Sequence, residues 1–275
     1  GVVAAMGGDG DFGTIEVGKR ADLILVNENP LNDVANIKNP LGVMAAGRWY
    51  SREALDQMIK IDSRGENSNS ITTEDSEPVT DIDGNVYKTI KIGNQIWITE
   101  NLNVAYFRNG DPILEAKTNE EWERAGIERK PAWCYFDNDP ENGEKYGKLY
   151  NWYAVNDPRG LAPEGWHIPM DQEWTLLADN SVGGDNTAGI MMKSTSGWSS
   201  GGNGDNLFGF TGLPGSGRYP NGYFEPLGSY GIWWSSSEDT AISAWGRNLQ
   251  SSLSSVLRGL FNKGTGLSVR AIKIP

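Results

Sequence analysis

The residues that could carry chemistry in this chain are few. The 275-residue sequence has a single histidine, His167, and a single cysteine, Cys134. One histidine excludes a metal site with two histidine ligands within this chain, and one cysteine excludes an internal disulfide bond and a thiolate cluster. Hydrolysis by His167 would need a nucleophile and an orienting carboxylate beside it, and no motif supplies them. We therefore expect no catalytic residue and no metal-ligating residue, with Cys134 buried as a small hydrophobic side chain.

Oxygen ligands are concentrated in two short segments. The segment DNDPENG at 137–143 resembles a calcium-binding loop, but its glycine falls one place later than an EF-hand requires. The twelfth position of such a loop would be Lys148, which is not an acidic ligand. We expect a solvated acidic turn and no cofactor, with a structural calcium ion as the alternative. The segment DIDGN at 81–85 is predicted to form a turn before a strand.

Composition and charge exclude several classes of protein. The net charge of -12 argues against a protein that binds the phosphate backbone of nucleic acids. No run approaches the roughly 18–20 apolar residues of a membrane-spanning helix. The 35 glycines and 11 tryptophans argue against a helical bundle, which favours Ala, Leu, Glu and Lys. We expect neither a nucleic-acid partner nor a membrane span.

The elements that must position these residues fall into three zones along the chain. Residues 1–62 contain strand-like runs at 21–26 and 43–50, followed by a helical pattern at 51–61. Residues 63–80 contain seven Ser or Thr residues and only two aliphatic residues, so they cannot bury enough apolar surface to offset their ordering entropy. We predict a linker there, and a main domain at 81–275.

Within 81–275 the pattern predicts short strands, short helices and long irregular segments. A hairpin is predicted from 86–92 and 94–98, with its turn at Gly93-Asn94. Helices are predicted at 120–125 and 171–177, the second with Asp171 as its N-cap. The stretch 183–231 has little periodicity, and we expect aromatic packing to hold it. Four strands are predicted near the end, at 232–236, 244–249, 254–258 and 266–274.

Six motifs follow one another along 81–275. They are DIDGNVYKTIKIGNQIWITENLNV (81–104), YGKLYNWYAV (146–155), LAPEGWHIPMDQEW (161–174), GFTGLPGSGRY (209–219), GSYGIWWSSSE (228–238) and GLSVRAIKI (266–274). Together they resemble the Fibrobacter succinogenes major paralogous domain, which is common in gut Bacteroidetes. That family is similar to the C-type-lectin-like fold of formylglycine-generating enzymes and of receptors diversified by retroelements. The resemblance implies an α+β, C-type-lectin-like fold with a small β-rich N-terminal appendage.

Residues 1–62 resemble a different family. The string GTIEVGKRADLILVNENPLNDVANIKNPLGVMAAGRWYSREALDQM is similar to the C-terminal tail of amidohydrolases, which contributes strands to a small β-sandwich. The metal-bearing barrel of that family has no counterpart here. The resemblance therefore implies a β-rich appendage and brings no active-site residue into this chain.

The resemblance also bears on the residues that could do chemistry. It places His167 at the start of a helix, so we expect a packed, hydrogen-bonded histidine. Formylglycine-generating relatives use a pair of cysteines near the C-terminal strands, whereas this chain has one cysteine in its first half. Aromatic pairs such as Trp152-Tyr153 and Trp233-Trp234 could stack on sugars. We expect four tryptophans of the motifs in the core, together with a fifth in the segment that follows: Trp152, Trp166, Trp174, Trp234 and Trp245.

The segment 239–262 is the most informative for function. Strand alternation places Trp245, Arg247 and Leu249 on one face and Gly246, Asn248 and Gln250 on the other. Receptors that this domain resembles have asparagine codons in their final segment rewritten by a retroelement, which never yields Lys, Glu, Gln, Met or Trp. All twelve residues of 251–262 belong to the permitted set, a run with odds of roughly one in twelve by composition. An ordinary, non-diversified surface is the alternative.

We predict non-catalytic recognition of a macromolecular or glycan ligand by an adhesin-like or receptor-like protein at the cell surface or outside the cell. A structural module of a surface assembly is the alternative, followed by a remnant or relative of an amidohydrolase or formylglycine-generating enzyme. The predicted contact residues are apolar anchors and adaptable polar groups of the C-terminal segment: Asp239, Thr240, Ile242, Gly246, Asn248, Gln250, Ser252, Ser255, Leu257, Leu260 and Phe261.

Overall fold

A computed structural model describes residues 23–30, 32–38, 40–45, 48–52, 73–181 and 187–273. The chain divides into two compact units, Gly1–Ser68 and Asn69–Pro275, and the division falls within the predicted linker. The helix predicted at 51–61 lies outside the described residues from residue 53 onward, and so does the linker at 63–72. In the described part of the chain, no helix combines the length and the apolar character that crossing a bilayer requires.

The first unit contains a small antiparallel sheet. Its strands are β1 (Leu23–Leu25), β2 (Gly42–Ala45) and β3 (Arg48–Ser51), in the order β1-β2-β3, with a 3-10 turn at Val34–Ile37. The single strand predicted at 43–50 is instead the hairpin β2–β3. The apolar run that suggested one strand spans both strands of the hairpin, so periodicity alone could not divide it.

The second unit mixes short strands and helices and is an α+β structure. Its strands are β4 (Thr73–Thr80), β5 (Val86–Ile92), β6 (Gln95–Ile98), β7 (Leu114–Glu115), β8 (Ala132–Cys134), β9 (Leu149–Tyr150), β10 (Trp166–His167), β11 (Tyr230–Glu238), β12 (Ser243–Gln250), β13 (Val256–Asn262) and β14 (Ile272–Lys273). Its helices are α1 (Asn119–Ile127), α2 (Pro140–Tyr146), α3 (Trp152–Val155), α4 (Asp171–Ser181) and α5 (Ala188–Met192).

The described strands of this unit form three sheets. The largest has the order β10-β14-β6-β5-β4, and the other two are β7-β8-β9 and β11-β12-β13. The predicted hairpin is confirmed as β5–β6, and Gly93 adopts a φ of 60° in its two-residue turn, a conformation that favours glycine. The strand predicted at 266–274 is mostly irregular, because only Ile272–Lys273 forms a strand and single bridges attach the rest.

Residues 73–80, predicted as the end of the linker, form the edge strand β4. The strand pairs antiparallel with β5, and its Glu74 lies directly opposite Lys91, with 3.5 Å between carboxylate and ammonium. A register shift between Ser76 and Val79 accommodates Pro78. The side chains are mostly exposed, which explains the polar composition: backbone pairing forms this strand, and little apolar burial accompanies it.

The predicted helices are confirmed, with longer bounds. Helix α1 begins with a capping box in which Thr118 and Glu121 bond each other's backbone N–H groups. Helix α4 begins at Asp171, so this residue is the first helical residue and its carboxylate binds arginine side chains instead of capping the helix. The described part of the irregular stretch is held by buried aromatic residues, as expected: Trp198, Phe208 and Phe210.

The core of the second unit is unusually rich in tryptophan. Four of the five tryptophans predicted in the core are at most 5% exposed: Trp152, Trp166, Trp174 and Trp234. The fifth, Trp245, is partly exposed, so its predicted place in the core is wrong. An arginine side chain, that of Arg258, packs on its ring.

Candidate ligand-binding surface on the C-terminal strands

Strand β11 anchors the C-terminal sheet in the core. Its consecutive residues Trp233 and Trp234 are 1% and 0% exposed and belong to different hydrophobic clusters. The Trp233 indole N–H donates to Asn101 Oδ1 at 2.8 Å, and the Trp234 indole N–H donates to the Tyr150 carbonyl at 2.8 Å. Because β11 is buried on both faces, the strands paired to it have a fixed support.

Strands β12 and β13 form a regular hairpin that extends outward from β11. Seven residue pairs follow without a bulge, from Ser243 opposite Asn262 to Leu249 opposite Val256. One face of the hairpin carries the pairs Trp245–Leu260 and Arg247–Arg258, and the other carries Gly246–Gly259 and Asn248–Leu257. We call these the tryptophan face (Ser243, Trp245, Arg247, Leu249 and their partners) and the glycine face (Ala244, Gly246, Asn248, Gln250 and their partners).

An ion-pair cluster attaches the tryptophan face to helix α4. Asp171 accepts hydrogen bonds from Arg247 Nη1 at 2.5 Å and from Arg258 Nε at 3.0 and 3.1 Å. Arg247 is 3% exposed and also donates to the Asp171 carbonyl and to Thr175 Oγ1. Burial acts to raise the pKa of Asp171, but the bonds from both guanidinium groups outweigh it and the pKa is lowered.

Arg258 connects this cluster to the exposed end of the tryptophan face. Its guanidinium carbon lies 3.3 Å from the centre of the Trp245 ring, a close cation–π stack. Leu260, directly opposite Trp245, is 48% exposed, and Ile242 in the preceding loop is 65% exposed. We call these four residues, Ile242, Trp245, Arg258 and Leu260, the exposed cluster.

The predicted contact residues fall into three groups by exposure. The exposed ones are Asp239, Thr240, Ile242, Ser252 and Leu260. The partly exposed ones are Asn248, Gln250, Ser255, Leu257 and Phe261. Gly246 is buried, so its predicted exposure is wrong.

Gly246 and Phe261 belong to the packing of the glycine face. A Cβ added to Gly246 would lie 2.8 Å from the Trp233 carbonyl oxygen and 2.9 Å from the Phe261 ring, so only glycine fits without a shift. Phe261 packs edge-on against Trp234, with 6.0 Å between ring centres. Leu260 and Phe261 therefore point to opposite faces, and they cannot both be anchors on one surface.

The predicted contact residues do not form one patch, because they lie at two ends of the hairpin. The loop 239–242 adjoins Leu260, whereas the turn 251–255 closes the opposite end, about 24 Å away at 3.4 Å per residue. Hydrogen bonds from helix α5 and the residue that follows it hold the turn. Lys193 Nζ donates to the carbonyls of Gln250 and Leu253, and the Ile190 N–H donates to the Ser254 carbonyl.

Sequence reasoning missed Trp245 and Arg258 as surface residues. Alternation placed Trp245 on one face with Arg247 and Leu249, which are both buried, so it gave no signal that Trp245 is partly exposed. For Arg258 the available signal was its spacing of two residues from Leu260, a predicted contact residue, since residues i and i+2 share one face.

The remaining candidates for chemistry are packed as expected. His167 Nε2 lies 2.9 Å from both carboxylate oxygens of Glu173, which confirms a hydrogen-bonded histidine. Cys134 is 1% exposed, and burial raises the pKa of its thiol to about 12. A thiol in this environment is not a nucleophile at neutral pH.

The acidic segments use their oxygens within the fold. Asp139 caps helix α2 by accepting from the Glu141 N–H, and Asn138 Oδ1 accepts from Arg218. Asp81 accepts from the N–H groups of Asp83 and Asn85, which confirms the predicted turn. Among the described residues, no group of three acidic, histidine or cysteine side chains is arranged to hold a metal ion.

Comparison with known proteins gives one match. The sequence model of a protein family described as the Fibrobacter succinogenes major domain matches residues 90–273. No curated protein and no solved structure matches the chain.

Proposed function

The chain belongs to the Fibrobacter succinogenes major domain family, and on this premise we propose that residues 81–275 form a non-catalytic ligand-recognition module with a C-type-lectin-like fold. Its ligand is a macromolecule or a glycan, and its site of action is the cell surface or the extracellular space. The surface that contacts the ligand is the exposed cluster on the tryptophan face of the C-terminal hairpin.

The exposed cluster is the observation that supports this proposal. Tryptophan and arginine are the residue types most enriched where interfaces gain their binding energy, and here they are stacked on each other at the surface. Ile242 and Leu260 add exposed apolar area beside them. An exposed apolar patch bordered by a polar or charged residue is typical of an interaction site, because a partner that covers the patch removes its apolar surface from water.

Rigidity of the support is a second argument. The hairpin is joined to β11, which is buried on both faces, and Asp171 holds Arg247 and Arg258 at its middle. A pre-ordered surface loses little conformational entropy on binding, so more of the contact energy appears as affinity.

Diversification by a retroelement would act on 251–262 within this arrangement. The segment consists of a turn and the outer strand β13, where exposed side chains tolerate replacement. Its twelve residues all belong to the set that such rewriting allows. A near-copy of the 239–274 coding region beside a reverse-transcriptase gene is the expected genomic arrangement, and its absence would contradict this part of the proposal.

The test uses the full chain, screened against a glycan array and a library of displayed peptides. We expect at least one ligand whose binding falls tenfold or more in the variant Ile242→Ser/Arg258→Gln/Leu260→Ser. A matched control, Ile127→Ser/Leu207→Ser, removes apolar side chains that are 75% and 60% exposed elsewhere and should leave binding unchanged. Equal losses in both variants, or no selected ligand that depends on the cluster, would overturn the proposal in favour of a structural module.

A further inference from the structure

Strand β13 has a free edge along most of its length. It is the last strand of the sheet β11-β12-β13, and among the described residues its backbone bonds only to β12, except at Asn262, whose carbonyl accepts from the Thr265 N–H at 2.8 Å. Seven consecutive pairs to β12 make it straight and regular. Half of its peptide groups therefore face outward, ready to accept another strand.

The contrast with β4, the edge of the larger sheet, is informative. Strand β4 carries Glu74, Asp75 and Glu77, and a register shift next to Pro78 interrupts its pairing. Charged side chains, proline and irregular register are features by which proteins block an edge. Strand β13, with the sequence VLRGLFN, has no proline and no register shift, and the guanidinium of its one charged residue, Arg258, is bonded to Asp171 on the tryptophan face.

The exposed side chains of β13 determine which residue types would be complementary on a strand added beside it. Arg258 and Leu260 lie two residues apart on the tryptophan face and are both exposed, Leu260 by 48%. Residues of an adjacent strand on the same face would lie directly beside them. A carboxylate beside Arg258 and an apolar side chain beside Leu260 are the complementary pair.

Charge favours an acidic occupant at this position. Arg247 and Arg258 share the single carboxylate of Asp171, which leaves one positive charge in excess on the tryptophan face. A second copy of β13, with the sequence VLRGLFN, has no carboxylate to place beside Arg258. This excess favours an acidic segment of another protein over a second copy of this chain.

We propose that β13 binds an extended acidic peptide segment of a protein partner by strand addition, with a glutamate or aspartate beside Arg258 and an aliphatic residue beside Leu260. Main-chain hydrogen bonds supply the affinity in this mode of recognition, and the alternating side chains supply the specificity. The inference rests on the proposed function and specifies its ligand.

The experiment uses the full chain and a capped seven-residue probe peptide, Thr-Val-Thr-Glu-Thr-Val-Thr, whose valines serve either strand direction. Backbone amide exchange of residues 256–262 and peptide-induced amide shifts are measured by NMR. We expect exchange of the outward amides to slow at least fivefold at saturation, and the glutamate peptide to bind at least fivefold tighter than its lysine counterpart. A probe that is N-methylated on its pairing edge should not bind.

Variants separate the side-chain contribution from the strand addition. Arg258→Gln should reduce the preference for glutamate over lysine to less than twofold, and Arg258→Lys should restore it, with the melting temperature recorded for each. Amides in 256–262 that remain unprotected, or protection that appears with rising protein concentration alone, would overturn the inference; the second result would indicate pairing of two copies. If the probe fails while ligands from the screen still depend on the exposed cluster, the inference fails and the proposed function stands.

Discussion

At the residue scale, Asp171 joins helix α4 to the C-terminal hairpin. It is the common acceptor for Arg247 and Arg258, and Arg247 is almost fully buried. Replacing Asp171 with asparagine would leave a buried guanidinium without a counter-charge, although its bonds to the Asp171 carbonyl and to Thr175 would remain. We expect Asp171→Asn to lower the free energy of unfolding by about 2–4 kcal/mol at pH 7.

The pH dependence of this effect follows from the lowered pKa of Asp171. A carboxyl group whose pKa is depressed by folding contributes stability above its unfolded pKa of 3.8, and the contribution is lost as the pH falls through the folded value. Urea denaturation of wild type and variant should therefore differ at pH 7 and converge below about pH 4. Glu128→Gln removes an exposed ion pair to Lys130 and should change stability little. A difference that persists undiminished at pH 3 would contradict the assignment.

Lys148 is a second residue with a specific pH signature. It is 4% exposed, its ammonium donates to the carbonyl and side-chain oxygens of Asn103, and it lies 4.6 Å from the Trp133 ring centre. Burial lowers its pKa to about 8, against the opposing charges of Asp83, Asp81 and Glu115. Between pH 8 and about 10, the unfolded chain holds a proton that the folded protein has released, so this residue makes stability rise with pH.

Lys148→Met tests this sign. The free energy of unfolding, measured from pH 7.5 to 9.5, should rise less steeply in the variant than in wild type, because the titrating amine is gone. The range stops at 9.5 because burial raises the pKa of Tyr150, which makes folding less favourable when tyrosines ionise at higher pH. Parallel curves for the two proteins would show that Lys148 does not titrate in this range.

Residue types predicted the interior of this protein better than its surface. His167 and Cys134 were predicted to be packed because nothing in the sequence completes a catalytic set around them, and both are. Trp245 was assigned to the core by analogy with the tryptophans of the motifs, of which Trp152, Trp166, Trp174 and Trp234 are buried. Its exposure depends on how far α4 and the clusters around Trp233 extend over β12, which is a tertiary property that one strand's sequence does not encode.

At the element scale, the pairing of Gly246 with Gly259 determines how β12 and β13 pack. The two glycines are direct partners, and the Phe261 ring covers both. A Cβ at Gly246 would meet a backbone oxygen at 2.8 Å, whereas at Gly259 it would meet only the ring, at 3.3 Å. A ring can shift by a few tenths of an ångström, but the Trp233 backbone within a buried strand cannot.

The two alanine variants should therefore differ strongly. We expect Gly246→Ala to lower the free energy of unfolding by about 1–3 kcal/mol through overpacking. Gly259→Ala should be close to neutral, since the lost backbone freedom of the unfolded chain offsets the small ring movement. Chemical denaturation of both variants measures the difference, and equal destabilisation would mean that the ring and not the Trp233 backbone limits the packing.

The elements that were predicted correctly are those whose turn or periodicity can be read from neighbouring residues in the sequence. The β5–β6 hairpin was predicted from its Gly-Asn turn between two apolar strands. Helix α1 was predicted at 120–125, and the capping box of Thr118 and Glu121 is a further local signal at its start. Strand β4 has no such signal, because its polar residues become a strand only through pairing with β5. The hairpin β12–β13 was predicted in outline, but its register and its buried glycine face depend on contacts with Trp233 and Trp234.

At the scale of the whole molecule, the largest sheet of the second unit combines strands from both ends of that unit's sequence. Strand β4 borders one edge of the largest sheet, and β14 near the C-terminus lies between β10 and β6 in the same sheet. The unit is therefore closed by long-range pairing that a local pattern cannot reveal. The sequence boundary placed at residue 81 cuts this sheet, since it assigns β4 to the linker.

A pair of fragments tests where the second unit begins. Fragment 73–275 keeps β4, whereas fragment 81–275 loses it, together with the Val79 contact to the core and the bond from Thr89 Oγ1 to the Glu77 carbonyl. We expect the shorter fragment to be less stable by about 2 kcal/mol, or about 4–8 °C in melting temperature for a domain of this size. Loss of β4 would also expose the apolar strand β5 as a new edge, so the shorter fragment should aggregate more readily.

Val79→Ala in the longer fragment isolates the apolar contact and should account for part of the loss of stability. Equal melting temperatures of the two fragments would show that the stability of the unit does not depend on β4.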